Sequence, residues 1–283
     1  MNPARGRKPC LWTVASRAGI RARGAGRWTL VWRERWNSRV LAAVTAASVL
    51  TAPAGFTVAR HPRMGPPARP VALADRSQPA AAPVAVTLTH ASDRGADGVN
   101  ITIDDGPDPV WTPQILRVLH DNGVKATFCM VGTRAQEYPD LVRAVVAAGH
   151  RLCDHTVSHD MAMATRPEAY QAQQILDAER MITQASGGVK PLYYRAPGGA
   201  FTPYSRRLAA SRGMRPLGWN IDSRDFECPG SEAIVSTVRR EISNGPTILF
   251  HDRGSDRSQT VSALRVILPW LKQKGYVFGF PIR

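Results

Sequence analysis

A chain of 283 residues, 43% hydrophobic and 21% charged, has the composition of an ordinary globular protein and room for one large domain or two small ones. The formal net charge of +15 suggests nucleic acid until the charges are located: residues 1–59 hold ten Lys/Arg against a single Glu. The excess therefore sits in a tail, where it reads as an export or membrane-surface signal, and no zinc-finger spacing, RNA-binding motif or basic helix with interleaved aromatics follows it, so no nucleic-acid partner is expected.

The tail has the order of a secretory signal. A basic stretch ends at Arg33, Arg35 and Arg39, an apolar run spans Val40–Leu50, and Ala52-Pro53-Ala54 offers a small-x-small pattern for cleavage after Ala54. The basic region is long for a signal peptide, and Val31 is an alternative start. The rival reading is an uncleaved anchor, since Val40–Ala59 has about the 20 residues a membrane span needs; Pro53 and Gly55 weaken it. Either reading puts the working domain outside the cytoplasm, secreted or at the cell surface, with any membrane contact confined to the N-terminal segment. Residues 60–95, rich in Pro, Ala and Arg and without apolar periodicity, read as a linker. The folded domain is then 96–283.

From Gly98 short apolar runs alternate with amphipathic segments. Val99–Ile103 has the period of two of a half-buried strand. Thr112-Pro113 supplies an N-cap and a Pro at the first helical position; Ile115, Leu116 and Leu119 then share a face, and Gly123 stops the helix. Ala126–Val131 reads as a strand, Pro139–Ala148 as a helix, Arg151–Cys153 as a short strand and Pro167–Ser186 as a long helix. Leu192–Arg195 and Arg215–Trp219 are strands flanking a helix from Pro203 to Arg212. Helix Ser231–Ile242 leads to strand Thr247–Phe250, and helix Ser258–Lys274 to strand Tyr276–Phe280. Seven strands alternating with helices predict an α/β fold of parallel strands with outer helices. About 190 residues is short for eight full units, so the barrel is expected to be incomplete or distorted.

Polar clusters fall just after these strands. Asp104-Asp105-Gly106-Pro107 follows the first; adjacent carboxylates there point different ways, one able to ligate a metal and the other to handle a proton, although a simple Asp-Gly-Pro turn explains them equally well. His155-Thr156-Val157-Ser158-His159 follows the third. Two imidazoles at this spacing with one carboxylate make three protein ligands and leave a fourth position open; two unrelated surface histidines are the alternative. Arg195-Ala196-Pro197-Gly198-Gly199 turns sharply after the fourth strand and frees an N–H to point inward. Asp222-Ser223-Arg224-Asp225-Phe226 follows the fifth and Leu249-Phe250-His251 closes the sixth; a His held protonated by a strand-end Asp makes a general acid near neutral pH.

These five clusters, in this order from about Val99 to Phe280, resemble the polysaccharide deacetylase family (carbohydrate esterase family 4). The resemblance implies a distorted seven-unit β/α barrel that hydrolyses acetyl groups from N-acetylglucosamine-containing polysaccharide such as peptidoglycan or chitin. It implies Asp104 as catalytic base, His251 as acid, Arg195 orienting the base and Asp225 tuning the acid. It also implies Asp105, His155 and His159 as ligands of a divalent metal, usually zinc, and Gly198, Phe226 and Leu249 as substrate-binding, with Gly198 offering its N–H to the oxyanion. Two departures bear on the substrate: Gly198 stands where an aromatic is common, and Phe226 where Trp is usual, so sugar-stacking surfaces differ. An acetylxylan esterase, a small-molecule amide hydrolase or a carbohydrate-binding protein without catalysis are the alternatives. Beyond the tail, Cys129 and Cys153 fall on strands expected to be neighbours, which suits either a disulfide or two buried thiols, and Cys228 is expected to stay unpaired.

Overall fold

The computed structural model describes residues 84–283. The basic tail, the apolar run, the cleavage site and the first part of the linker lie outside these residues. The alternating segment Val99–Ile103 does form a strand, but all seven residues of β1 (Gly98–Asp104) are buried rather than half of them. One face, Val99, Ile101 and Ile103, packs into an apolar core with Ile115, Leu119, Phe128, Ile248, Phe250 and Leu264. The opposite face, Asn100, Thr102 and Asp104, points into the barrel, where Asn100 Nδ2 donates to Thr247 Oγ1 at 2.9 Å and Thr102 Oγ1 to the Ile248 carbonyl at 2.8 Å. The alternation thus separates two interiors, one oily and one hydrogen-bonded. Each buried aliphatic on the oily side contributes about 1.5–3 kcal/mol.

Around β1 lie β2 (Ala126–Met130), β3 (Arg151–Asp154), β4 (Tyr193–Tyr194), β5 (Arg215–Pro216), β6 (Ile221–Asp222), β7 (Thr247–His251) and β8 (Val277–Gly279). The sheet order is β5-β4-β3-β2-β1-β7-β6, with β8 paired to the first half of β1, and every one of these pairings is parallel. β5 and β6 do not pair, so the barrel stays open there: a distorted β/α barrel, as the strand and helix grammar predicts. The helices are α1 (Trp111–Asp121), α2 (Gly132–Glu137), α3 (Pro139–Ala147), α4 (Glu168–Ala185), α5 (Pro203–Ser211), α6 (Ser231–Glu241) and α7 (Ser258–Gln273). Two elements are additional to the sequence reading. β6 is two residues long, too short for periodicity, and exists because Ile221 and Asp222 pair with Ile248 and Leu249 of β7. α2 is a short polar helix that buries only Gly132 and Ala135, so it has no apolar stripe to read.

Thr112 is not the N-cap of α1, which begins one residue earlier. Asp108 does that work, its Oδ1 accepting from the N–H groups of Val110 and Trp111 at 2.8 and 3.1 Å. α5 has the expected start, with Thr202 and Ser205 forming a reciprocal capping box. The last part of the segment 60–95 is not linker. Thr89 bridges to Leu217, Ser92 to Pro281, and the His90 carbonyl accepts from Thr247 Oγ1 at 2.7 Å. This strap is held by backbone pairing, which composition does not reveal. No helix among the described residues is long and apolar enough to cross a membrane.

Cys129 and Cys153 are register partners on β2 and β3 and form a disulfide. Cys228 is disulfide-bonded as well, correcting the expectation that it stays unpaired. The Cys129–Cys153 bridge closes a loop of 24 residues. Replacing both cysteines by Ala is expected to lower the unfolding free energy by about 3 kcal/mol, as a loop of this length implies, measured by urea titration against the oxidised protein.

Candidate active site

The site is built where β1, β3, β4, β6 and β7 end. Asp104 is the last residue of β1 and 2% exposed. The chain then enters the left-handed region at Asp105 (φ 80), which swings the second carboxylate away from the strand direction. Gly106 follows because a Cβ there would lie 2.2 Å from the Asp252 carboxylate.

His155 leaves β3 with its N–H bonded to the Met130 carbonyl, and its Nδ1 donates to the Arg195 carbonyl at 2.8 Å. A carbonyl only accepts, so Nδ1 carries the proton and the Nε2 lone pair is turned inward. Thr156 and His159 both adopt positive φ (67 and 56), and the His159 N–H is tied to Thr156 Oγ1 at 3.1 Å, which folds the second imidazole back beside the first. His155 Nε2 and His159 Nε2 lie 3.5 and 3.2 Å from Asp105 Oδ1. The three ligand atoms all fall within 4.8 Å of one another. Asp105 Oδ1 is buried and has no hydrogen-bond donor among the described residues. An orphaned carboxylate oxygen between two lone-pair-bearing imidazole nitrogens fits a divalent cation with N/O ligands and an open position. Burial opposes the Asp105 charge, but the neighbouring imidazoles of His155, His251 and His159 outweigh it and hold the carboxyl well below its usual range.

Arg195 is fully buried inside the barrel. Its Nη1 donates to Asp104 Oδ1 at 2.7 Å and Thr102 Oγ1 at 2.9 Å, its Nη2 to the Gly218 carbonyl and its Nε to the Leu217 carbonyl. Asp104 Oδ1 is thereby fixed, and Oδ2 faces His155 Nε2 at 3.6 Å.

Beside Asp104, on the neighbouring strand β7, His251 Nδ1 donates to Asp225 Oδ1 at 2.7 Å, and the His251 backbone N–H reaches Asp225 Oδ2 at 2.9 Å. Thr260 Oγ1 donates to the same oxygen and Arg257 to the Asp225 carbonyl, both at 2.8 Å. Burial disfavours the imidazolium, but Asp225 first, then Asp105 and Asp104, outweigh it and push His251 up to about 9. Leu249 sits two residues before His251 on the same face of β7 and is buried. Phe226 is 40% exposed and meets the His251 ring edge-on at 5.6 Å. Gly198 lies exposed in the turn after β4 with φ 58.

The structure thus brings together Asp104, Asp105, His155, His159 and Arg195, and joins His251 to Asp225 and Phe226. Residues missed from the sequence stand behind them. Asp252 is buried, accepts from Thr112 Oγ1 at 2.5 Å, and donates its N–H to the Asp104 carbonyl at 3.1 Å; burial and the nearby Asp105, Asp108 and Asp104 push its carboxyl up to about 7. Its place next to His251 in sequence was a readable signal. Arg257 and Thr260, at the start of α7, gave none, since only the fold brings them to Asp225.

The polysaccharide deacetylase family profile matches residues 91–217. The chain is 41% identical over 183 residues to a peptidoglycan-N-acetylglucosamine deacetylase of Bacillus cereus, covering 64% of this chain and 84% of that protein. It is 36% identical over 197 residues to a chitooligosaccharide deacetylase of Sinorhizobium fredii, covering 66% and 91%. Among solved structures it superposes on a peptidoglycan N-acetylglucosamine deacetylase in complex with 4-naphthalen-1-yl-N-oxidanyl-benzamide, with a TM-score of 0.64, 30% identity and coverage of 68% and 89%.

In the metal-free protein the His251 imidazole is expected to titrate near pH 9 by NMR, and Asp225→Asn to bring it down by at least one unit. The folded pKa lies above the ordinary value, so the stabilisation from this pair is full below about pH 6.5 and disappears as pH rises through 9, a change of roughly 3 kcal/mol. Urea unfolding at the two ends of that window checks it; the Asn variant should show a flatter profile.

Proposed function

The chain belongs to the polysaccharide deacetylase family, whose members are metal-dependent hydrolases of acetyl groups, and on that premise we propose that it N-deacetylates the N-acetylglucosamine units of a peptidoglycan or chitin-like polymer with Asp104 as base and His251 as acid. The observation that carries this reading is two buried pairs at the ends of neighbouring strands β1 and β7: Asp104 clamped by Arg195, and His251 clamped by Asp225.

Asp105, His155 and His159 are the residues that would hold a divalent cation, which we propose to be zinc. Such an ion supplies Lewis acidity, polarising the acetyl carbonyl and acidifying a water. Asp104 Oδ2 would take the proton from an attacking water as the water's oxygen adds to the acetyl carbon. Arg195 occupies Oδ1, so the accepting oxygen is defined. The Gly198 N–H is our candidate donor to the oxyanion, a role its turn conformation and exposure suit. His251 Nε2 then gives a proton to the amide nitrogen, the C–N bond breaks, and the products are acetate and a free amine. Without that proton the amine is a poor leaving group, and Asp225 keeps His251 charged at neutral pH to supply it. Leu249 and Phe226 line the acetyl pocket on this reading. The basic tail and its apolar run support placement outside the cytoplasm, secreted or at the cell surface, where such a polymer is found.

Acetate release from N-acetylglucosamine oligomers is expected to stop with a chelator and return with added zinc. Asp104→Asn and His251→Ala are each expected to lower kcat by roughly 10²–10⁴ with metal content unchanged. Near-wild-type turnover by metal-loaded Asp104→Asn would reject the assignment of the base.

A further inference from the structure

We infer that Met161 is a specificity-determining residue whose thioether forms the groove wall above Gly198 and packs against the apolar face of the sugar that carries the acetamide. The inference rests on the hydrolase reading above for its substrate, and on geometry for its site.

Met161 is 57% exposed, an apolar side chain in water two residues after the candidate ligand His159. The loop that carries it is anchored on both sides. Asp160 Oδ1 accepts from the Ala162 N–H at 2.9 Å, and its Oδ2 accepts from Arg166 Nε and the Tyr170 hydroxyl at 3.1 and 3.2 Å. Met163 is buried with Ile175, Tyr194 and Met214. Between these anchors Met161 and Ala162 are exposed, and Met161 is the large apolar side chain of the two. It does not lie over empty surface: a Cβ at Gly198 would stand 2.6 Å from Met161 Cε, so the methyl group occupies the space a side chain at 198 would fill. On the other flank of the same turn, a Cβ at Gly199 would meet the Trp219 ring at 2.8 Å. The turn that presents the proposed oxyanion donor is thus bracketed by Met161 and Trp219, while Phe226 meets the His251 ring edge-on. On this inference a pyranose that brings its acetamide to the Gly198 N–H lies against Met161. A thioether on a flexible stem adapts to ring substituents better than a flat ring does, and covering it with sugar carbon removes apolar surface from water.

For Met161→Ala, the KM for an N-acetylglucosamine tetramer is expected to rise about tenfold with kcat within a factor of two, and Met161→Leu, of similar volume, to recover most of the loss. Zinc affinity by calorimetry should match wild type, since a side chain acting through His159 would weaken it. An unchanged KM in Met161→Ala overturns the inference, and so does a fall in kcat that tracks lost zinc. Tetramer binding by calorimetry keeps the two readings apart: binding without turnover in the wild type, weakened by Met161→Ala, rejects the hydrolase reading and retains this one. Equal binding, or none, in both proteins rejects it.

Discussion

A single buried guanidinium holds this structure's polar interior together. Arg195 reaches Asp104 and Thr102 of β1 and the carbonyls of Leu217 and Gly218 beyond β5; its own carbonyl accepts a hydrogen bond from His155 Nδ1–H, and its N–H donates to the Asp154 carbonyl. One residue therefore positions the candidate base and one candidate metal ligand at once. A charge so placed is costly to desolvate, and removing one partner of such a pair typically costs about 3–5 kcal/mol because the other is left uncompensated. The strap before β1 belongs to the same device: His90 packs against Gly218, where a Cβ would lie 2.1 Å from its Nε2.

The barrel works by sorting two kinds of interior. Aliphatics on alternate strand positions bind the helices to the sheet and supply most of the stabilisation, while the intervening positions build a hydrogen-bonded column that ends at Asp104, the candidate base. Strand ends are where this column meets solvent, so chemistry collects there. The disulfide joins β2 to β3, and the last two residues of β2 hold the site's backbone: the Cys129 carbonyl accepts from the Asp105 N–H and the Met130 carbonyl from the His155 N–H.

The electrostatics separate the buried carboxyls by partner rather than by residue type. Burial alone would neutralise every group here. Asp225 resists it through His251 and Arg257 and stays below its usual range, while Asp252, given only a hydroxyl and surrounded by carboxylates, is pushed up to about 7. A carboxyl protonated more readily than its neighbours adds less negative charge beneath the Asp104–Asp105 turn that it packs against.

The strands, most helices, the parallel architecture and the motif residues were legible in the sequence because each has a local cause: a period of two or 3.6, a stop at glycine, or a charged cluster where a strand must end. β6 and α2 were not, since the one exists through pairing with β7 and the other through packing of two small residues. The pairing of Cys129 with Cys153 needed strand register, and the support of Asp225 by Arg257 and Thr260 needed α7 to fold back onto β7. The sequence by itself determined which groups can take part, because side-chain chemistry and local periodicity are properties of short segments. Only the tertiary structure decided which oxygen of Asp104 is free, which nitrogen of His155 points inward and that Met161 covers Gly198, because those depend on contacts between residues far apart in the chain.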